Sequence, residues 1–273
     1  MKIAAILNVH NDTELVLDTI DSIRTWATDN IIVVVDGTSW PHWGKDLELP
    51  VPKIEGLKHG KPSSPYRNYM LGMMYGCRTY PDADWYVYTE YDALFASSKF
   101  KEDLKYADEN NVWCVGNDAR WDRKYDLGLL ETISKKKLVC ARYLLGCCHF
   151  HKGDFIRQLE QERFFERLLF YTNPFDNRYF PGFSEKKGYD FGEWILPTLA
   201  GGMGGQVGQF AEWQQNKSRW GGNYKKYPMR WQPDLEPTEN FRDACILHPI
   251  KTLDHPIRKY HAENRRKHRM ENK

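Results

Sequence analysis

No two of the six cysteines (77, 114, 140, 147, 148 and 245) stand at C-x-x-C spacing, and they follow no other regular interval. Disulfide frameworks and cysteine zinc sites need patterned ligands, so these thiols are expected to be mostly reduced and buried, in an intracellular, cytoplasmic protein. No G-x-G-x-x-G follows the first apolar run, and neither G-x-x-x-x-G-K-[ST] nor G-x-S-x-G occurs anywhere. Those absences exclude a dinucleotide-binding fold, a P-loop NTPase and a hydrolase nucleophile elbow. A net charge of +2 over 273 residues gives no mandate for nucleic acid. No apolar run is long enough to span a bilayer. The opening MKIAAILNVHND is apolar too briefly for a signal peptide and reads as a first strand.

Aromatic residues, by contrast, make up 14% of the chain, which suits a protein that stacks on bases or sugars as well as one with an aromatic core. Ile3 to Val9 read as a strand, and Asn11 or Asp12 can cap a helix running to about Trp26 with Leu15, Val16, Ile20 and Ile23 on one side. Ile31 to Val35 form a continuous β-branched run, the mark of a parallel strand covered on both faces. Strand, helix and strand within forty residues make the right-handed crossover of an open α/β sheet. Ligands of such sheets collect beyond the carboxyl ends of the strands, here Val9-His10-Asn11, Asp36-Gly37 and Glu90-Tyr91-Asp92.

The stretch from Tyr66 to Asp92 says most. Ser64 and Pro65 start a helix in which Tyr69, Met70, Met73 and Met74 recur at helical spacing, and Trp85 to Tyr88 follow a PDAD turn as a buried strand. That strand closes on Glu90 and Asp92, whose carboxylates, two residues apart in extended chain, point to one side. Paired carboxylates of this kind suit a hard divalent cation with positions left open for phosphate oxygens.

Arg67-Asn68, then Gly72, then Gly76, then a hydrophobic strand ending acid-x-acid resembles the core of nucleotide-sugar-dependent glycosyltransferases of the GT-A fold, family 2 in particular. The resemblance covers Ile3 to Asp92 well and Tyr189 to Lys251 loosely. It implies a Rossmann-like three-layer α/β sandwich with a mixed, mostly parallel sheet over residues 1–253. Residues 1–118 would bind the nucleotide sugar and 119–253 the acceptor, leaving a basic tail at 254–273. It further implies Mn²⁺ or Mg²⁺ held by Glu90 and Asp92 against a UDP- or GDP-type donor, although Glu90 stands where the family usually has Asp. Val9, His10, Asn11 and Asp36 become candidates for the nucleoside, Arg67 for a diphosphate clamp, and Asn68 a further donor-binding candidate.

Farther along, His149 and His151 share strand spacing in an apolar run from Leu144 to Phe150 and just beyond, and read as structural. Asp190 and Glu193 make a D-x-x-E capping box before Trp194, Ile195 and Leu196. Family 2 enzymes carry an acidic pair at the start of a helix in this region, so the resemblance implies Asp190, or Glu193 one turn on, as catalytic base. Glycines dense from Gly201 argue against regular helix there, and Trp213, Trp220 and Trp231 are candidates for stacking on sugar rings in a lid. A late histidine often completes the GT-A metal site. His248 holds that place, with an imidazole suiting Mn²⁺ better than Mg²⁺, and Lys251 can reach the phosphates.

The tail from Pro256 carries seven Lys or Arg against Glu263 and Glu271 and reads as a solvated helix able to touch an anionic membrane surface. The function expected is transfer of a sugar, with inversion, to a hydroxyl acceptor, in particular a glycan. Two other readings stay open. One is a sugar-1-phosphate nucleotidyltransferase, although the glycine-rich, arginine-bearing loop of such enzymes is replaced by NVHNDTE; the other is a non-catalytic carbohydrate-binding protein.

Overall fold

A computed structural model describes residues 1–58, 64–116, 119–122, 127–144, 147–172, 191–210, 229–231 and 244–272. The first strand, β1 (Ile3–Val9), pairs in parallel with β2 (Ile31–Val35) on one side and with β4 (Trp85–Glu90) on the other, and β3 (Lys53–Glu55) extends the β2 edge. Beyond β4 come β9 (His149–Lys152), β6 (Val112–Gly116) and β10 (Gln206–Gln209), giving the order β10-β6-β9-β4-β1-β2-β3. Only β9 runs against its neighbours. The mixed, mostly parallel sheet with helices on both faces is the α/β architecture expected.

Alternation along β1 shows why both faces are apolar. Ala4 and Ile6 join Ile32, Val34, Tyr86 and Tyr88 under α2 (Ser64–Thr79), α5 (Gly153–Gln161), α6 (Phe164–Tyr171) and α7 (Phe191–Gly202). Ile3, Ala5, Leu7 and Val9 join Ile31, Val33, Val35 and Val87 under α1 (Thr13–Trp26) and α3 (Phe100–Glu109). Such two-sided burial turns a strand from an alternating pattern into an unbroken hydrophobic run. In α2 a Cβ on Gly72 would lie 2.3 Å from Ile6 Cγ2, and one on Gly76 would lie 2.4 Å from Ile6 Cδ1. The two glycines therefore let the helix settle directly on β1, which sets the height of Asn68 and Arg67 above the sheet.

Four stretches depart from the sequence-based expectation. Leu144 to Phe150 is not one strand. β8 (Ala141–Leu144) pairs with β7 (Ala119–Asp122) apart from the central sheet, and Cys148, with φ of 65°, marks the left-handed corner just before β9. Where apolar spacing from Asp154 to about Leu169 predicts one helix, the chain breaks into α5 and α6 at Arg163, whose φ is 55°. Helix α7 continues through Pro197 into the glycines as far as Gly202, because Trp194, Ile195, Leu196, Leu199 and Ala200 are all buried and their burial outweighs poor local propensity. The charge-rich stretch from Asn117 to the SKKK run ending at Lys137, whose composition predicts a solvated loop, contains β7 and α4 (Gly128–Ser134).

The basic segment is helix α8 (Pro256–Glu271), and its cations are not simply solvated. Arg258 and Arg265 are each 1% exposed and both donate to Asp18 of α1; Arg265 Nε also reaches Asp21 Oδ2 at 3.0 Å, and Arg269 Nη2 the same oxygen at 2.6 Å. Two acids on one face of α1 thus hold three arginines of α8. No helix among the described residues is long and apolar enough to cross a membrane.

Candidate active site

Strand β4 stops at Glu90 because the chain turns there: Ala93 N–H donates to the Glu90 carbonyl at 3.0 Å, and Tyr91 N–H to that of Asn8 at 3.1 Å. Asp92 therefore lies in a turn rather than two residues along an extended strand. From the turn the chain enters β5 (Leu94–Phe95), on which β12 (Ile246–His248) lies antiparallel, with β11 (Met229–Trp231) on its far side. The Ile250 N–H also donates to the Asp92 carbonyl at 2.8 Å. This small sheet returns residue 248 to a point more than 150 positions distant in sequence.

His248 Nε2 lies 3.2 Å from Glu90 Oε2 and 3.1 Å from Asp92 Oδ1. Tyr88, buried on β4, donates its hydroxyl to the other Glu90 oxygen at 3.0 Å and so aims the carboxylate. Asp92 is 6% exposed, and the His248 ring is the group that faces its Oδ1. A buried carboxylate oxygen needs a positive partner, which a protonated His248 supplies or a cation in its place would. An octahedral ion holding oxygen or nitrogen at about 2.1–2.3 Å sets neighbouring donors roughly 3.0–3.3 Å apart, which is the spacing His248 Nε2 keeps from each of the two acids. The donor set fits a divalent cation.

Electrostatics agree. Burial opposes charge on His248, but the carboxylates of Asp92 and Glu90 beside the ring favour it, and its pKa is raised above the ordinary 6.5. Burial likewise opposes ionisation of Asp92, yet His248 and, farther off, Lys251 hold its carboxyl below the usual range. The pocket draws positive charge to a point between the acids.

The remaining described candidates lie on several elements. Asp36 is buried at the end of β2, where Oδ1 accepts from Thr38 N–H at 2.9 Å and Oδ2 from Asn68 Nδ2 at 3.0 Å; Asn68 Oδ1 in turn accepts from Leu57 N–H at 2.5 Å. Asp36 and Asn68 are thereby coupled, tying β2 to α2. Val9 packs its side chain in the core and gives its carbonyl to Asp36 N–H at 2.8 Å, whereas His10 and Asn11 are exposed. The His10 ring meets Tyr91 edge to face at 4.6 Å. Arg67 is buried, and its Nη2 donates to the Leu169 carbonyl of α6 at 3.0 Å. Lys251 is exposed. Glu193 on α7 accepts from the Tyr143 hydroxyl at 2.6 Å. Asp190, Trp213 and Trp220 lie outside the described residues. His151 bonds Tyr69 and, at 3.1 Å, Cys114 Sγ, in keeping with a structural role.

Two residues of the corner escaped the sequence reading. Asn8 faces Val34 and Glu90 across β1, and its buried Oδ1 accepts no hydrogen bond among the described residues; its signal was an amide inside the apolar run IAAILNV. Cys147 Sγ lies within 4.8 Å of both a Glu90 oxygen and a His248 nitrogen, the three atoms forming one group.

No protein-family model and no curated protein matches the chain. Among solved structures it is similar to core-mannan synthase A from Aspergillus fumigatus in its Mn/GDP form, with 13% identity over 78% of this chain and 73% of that one and a TM-score of 0.37. It is also similar to residues 1–349 of TarS from S. aureus, with 12% identity over 58% of this chain and 49% of that one and a TM-score of 0.35. A glycosyltransferase involved in glycosylating the major capsid of PBCV-1 aligns over 99% of this chain and all of its own, with 11% identity and a TM-score of 0.44.

Proposed function

We propose that the protein is a metal-dependent glycosyltransferase that moves a sugar from a nucleotide-diphosphate donor, of UDP or GDP type, to a hydroxyl acceptor such as a glycan. The observation that carries this reading is the approach of His248 Nε2 to within 3.2 Å of Glu90 and 3.1 Å of Asp92 beyond the carboxyl end of β4. Bound there, Mn²⁺ or Mg²⁺ would supply a Lewis acid that neutralises charge gathering on the departing diphosphate.

The chain's own groups divide the rest of the work. Asp36 and Asn68 hold the nucleoside end of the crevice, while Lys251 and Arg67 bring positive charge toward the phosphates. Asp190, with Glu193 as the alternative, takes the proton from the acceptor hydroxyl as that oxygen attacks the anomeric carbon, a single displacement with inversion.

A panel of nucleotide sugars incubated without acceptor tests the reading, since slow hydrolysis needs no acceptor. One UDP- or GDP-sugar should be hydrolysed with Mn²⁺ and spared with a chelator; no metal-dependent turnover across the panel would count against it. The pH dependence has a definite sign. Without metal, His248 keeps its proton above pH 6.5, and the ion must displace it. Manganese affinity should therefore rise with pH by up to about tenfold per unit through the window above 6.5, levelling once His248 is neutral. Affinity that is flat or falls across that window would remove His248 as a ligand.

A further inference from the structure

The antiparallel pairing of β4 with β9 sets Trp85 opposite Lys152 and Tyr88 opposite His149. Continuing that register by two residues places Cys147 opposite Glu90. The left-handed turn at Cys148 ends the pairing there, and Cys147 faces the acids rather than continuing a strand. Cys147 is 3% exposed, and its sulfur touches Cys148 Sγ at 3.1 Å and lies 3.8 Å from Thr89 Oγ1.

Thiolate sulfur binds a divalent ion such as zinc at about 2.3 Å, and imidazole nitrogen at about 2.0–2.1 Å. Two donors on opposite sides of one ion would thus be roughly 4.4 Å apart, and donors on adjacent sides closer. Cys147 Sγ, a Glu90 oxygen and a His248 nitrogen, all within 4.8 Å of one another, span about one coordination shell.

We propose that Cys147 supplies a thiolate ligand beside Glu90, Asp92 and His248. The site then favours borderline ions such as Co²⁺ and Zn²⁺ over hard Mg²⁺. The inference rests on the metal-site reading above and adds to it an N,O,O,S donor set. A thiolate is soft and poorly matched to Mg²⁺, which keeps its water and demands oxygen. Burial keeps the Cys147 thiol protonated in the metal-free protein, so ligation exchanges the S–H proton for the ion and releases H⁺. Packing in the core is what Cys147 would otherwise do, and Cys148, beside it, does that without facing the acids.

Titrating Co²⁺ alone into the reduced, metal-free full-length chain tests the assignment. Sulfur ligation gives a near-ultraviolet thiolate-to-cobalt charge-transfer band that oxygen and nitrogen donors do not. The band should saturate at one equivalent, persist in Cys148→Ser and vanish in Cys147→Ser, while cobalt affinity of the latter falls about tenfold or more. Cobalt bound without the band in the wild-type chain, or a band that survives Cys147→Ser, overturns the assignment and leaves the metal-site reading standing. No binding of either Co²⁺ or Mn²⁺ removes both. Should Cys147→Ser not fold, the wild-type spectrum together with Cys148→Ser still decides between sulfur and no sulfur.

Discussion

Replacing Asp92 with Asn is expected to lower Mn²⁺ affinity by more than about 100-fold and to take metal-dependent hydrolysis down with it. Loss of a group that merely orients a ligand costs about 10–100-fold, and Asp92 is placed to be a ligand itself. The amide keeps the shape but removes the negative charge, and its nitrogen presents protons to the ion. Glu90→Gln should cost less, on the order of tenfold. Glu90 is more exposed than Asp92 and shares one oxygen with the Tyr88 hydroxyl, so water can substitute for it more readily. Isothermal titration with Mn²⁺ measures both. An Asp92→Asn protein that binds the ion as tightly as the parent would place the cation, if any, elsewhere.

The second large effect lies outside the site. Arg258→Met should destabilise the fold by about 3–5 kcal/mol, as expected when one partner of a buried ion pair is removed. Besides Asp18, the Arg258 guanidinium donates to the carbonyls of Ala93 and Ile250, each at 3.2 Å. Ala93 follows Asp92 directly, and Ile250 stands two residues after His248, so a single side chain from α8 braces both segments that carry ligands. The same substitution should weaken Mn²⁺ binding about tenfold, as loss of an orienting group does. Arg269→Met is the control. That side chain is half-exposed and its pair with Asp21 is worth less than about 1 kcal/mol. Urea unfolding separates the outcomes, and equal stability of Arg258→Met and Arg269→Met would show that α8 is not an integral brace.

The first ninety residues were legible because they obey simple rules. β1, β2 and β4 are mainly apolar and buried, Gly72 and Gly76 recur on the face of α2 that meets Ile6, and Glu90 and Asp92 are charges at and just beyond the end of a buried strand. Later elements were harder because tertiary contacts overrule local preference. Gly201 and Gly202 are helical since the apolar face of α7 is buried, and LLGCCHF looks like one strand although it serves two sheets. The pairing of α8 with α1 joins residues some 240 positions apart, and a run of arginines carries no mark of which will be buried. Cys147 was invisible for a related reason. Its place beside Glu90 depends on the register of β9 and a left-handed turn at Cys148, neither of which leaves a pattern in the residues.

Calorimetric titration of UDP and GDP into the metal-free protein, with and without Mn²⁺, tests the central claim most directly. One nucleotide should bind only when the ion is present, and Asp92→Asn should abolish that binding. Nucleotide binding unaffected by chelator, or glycan binding indifferent to it with no nucleotide bound at all, would contradict a cation held between Glu90, Asp92 and His248 as the seat of donor recognition.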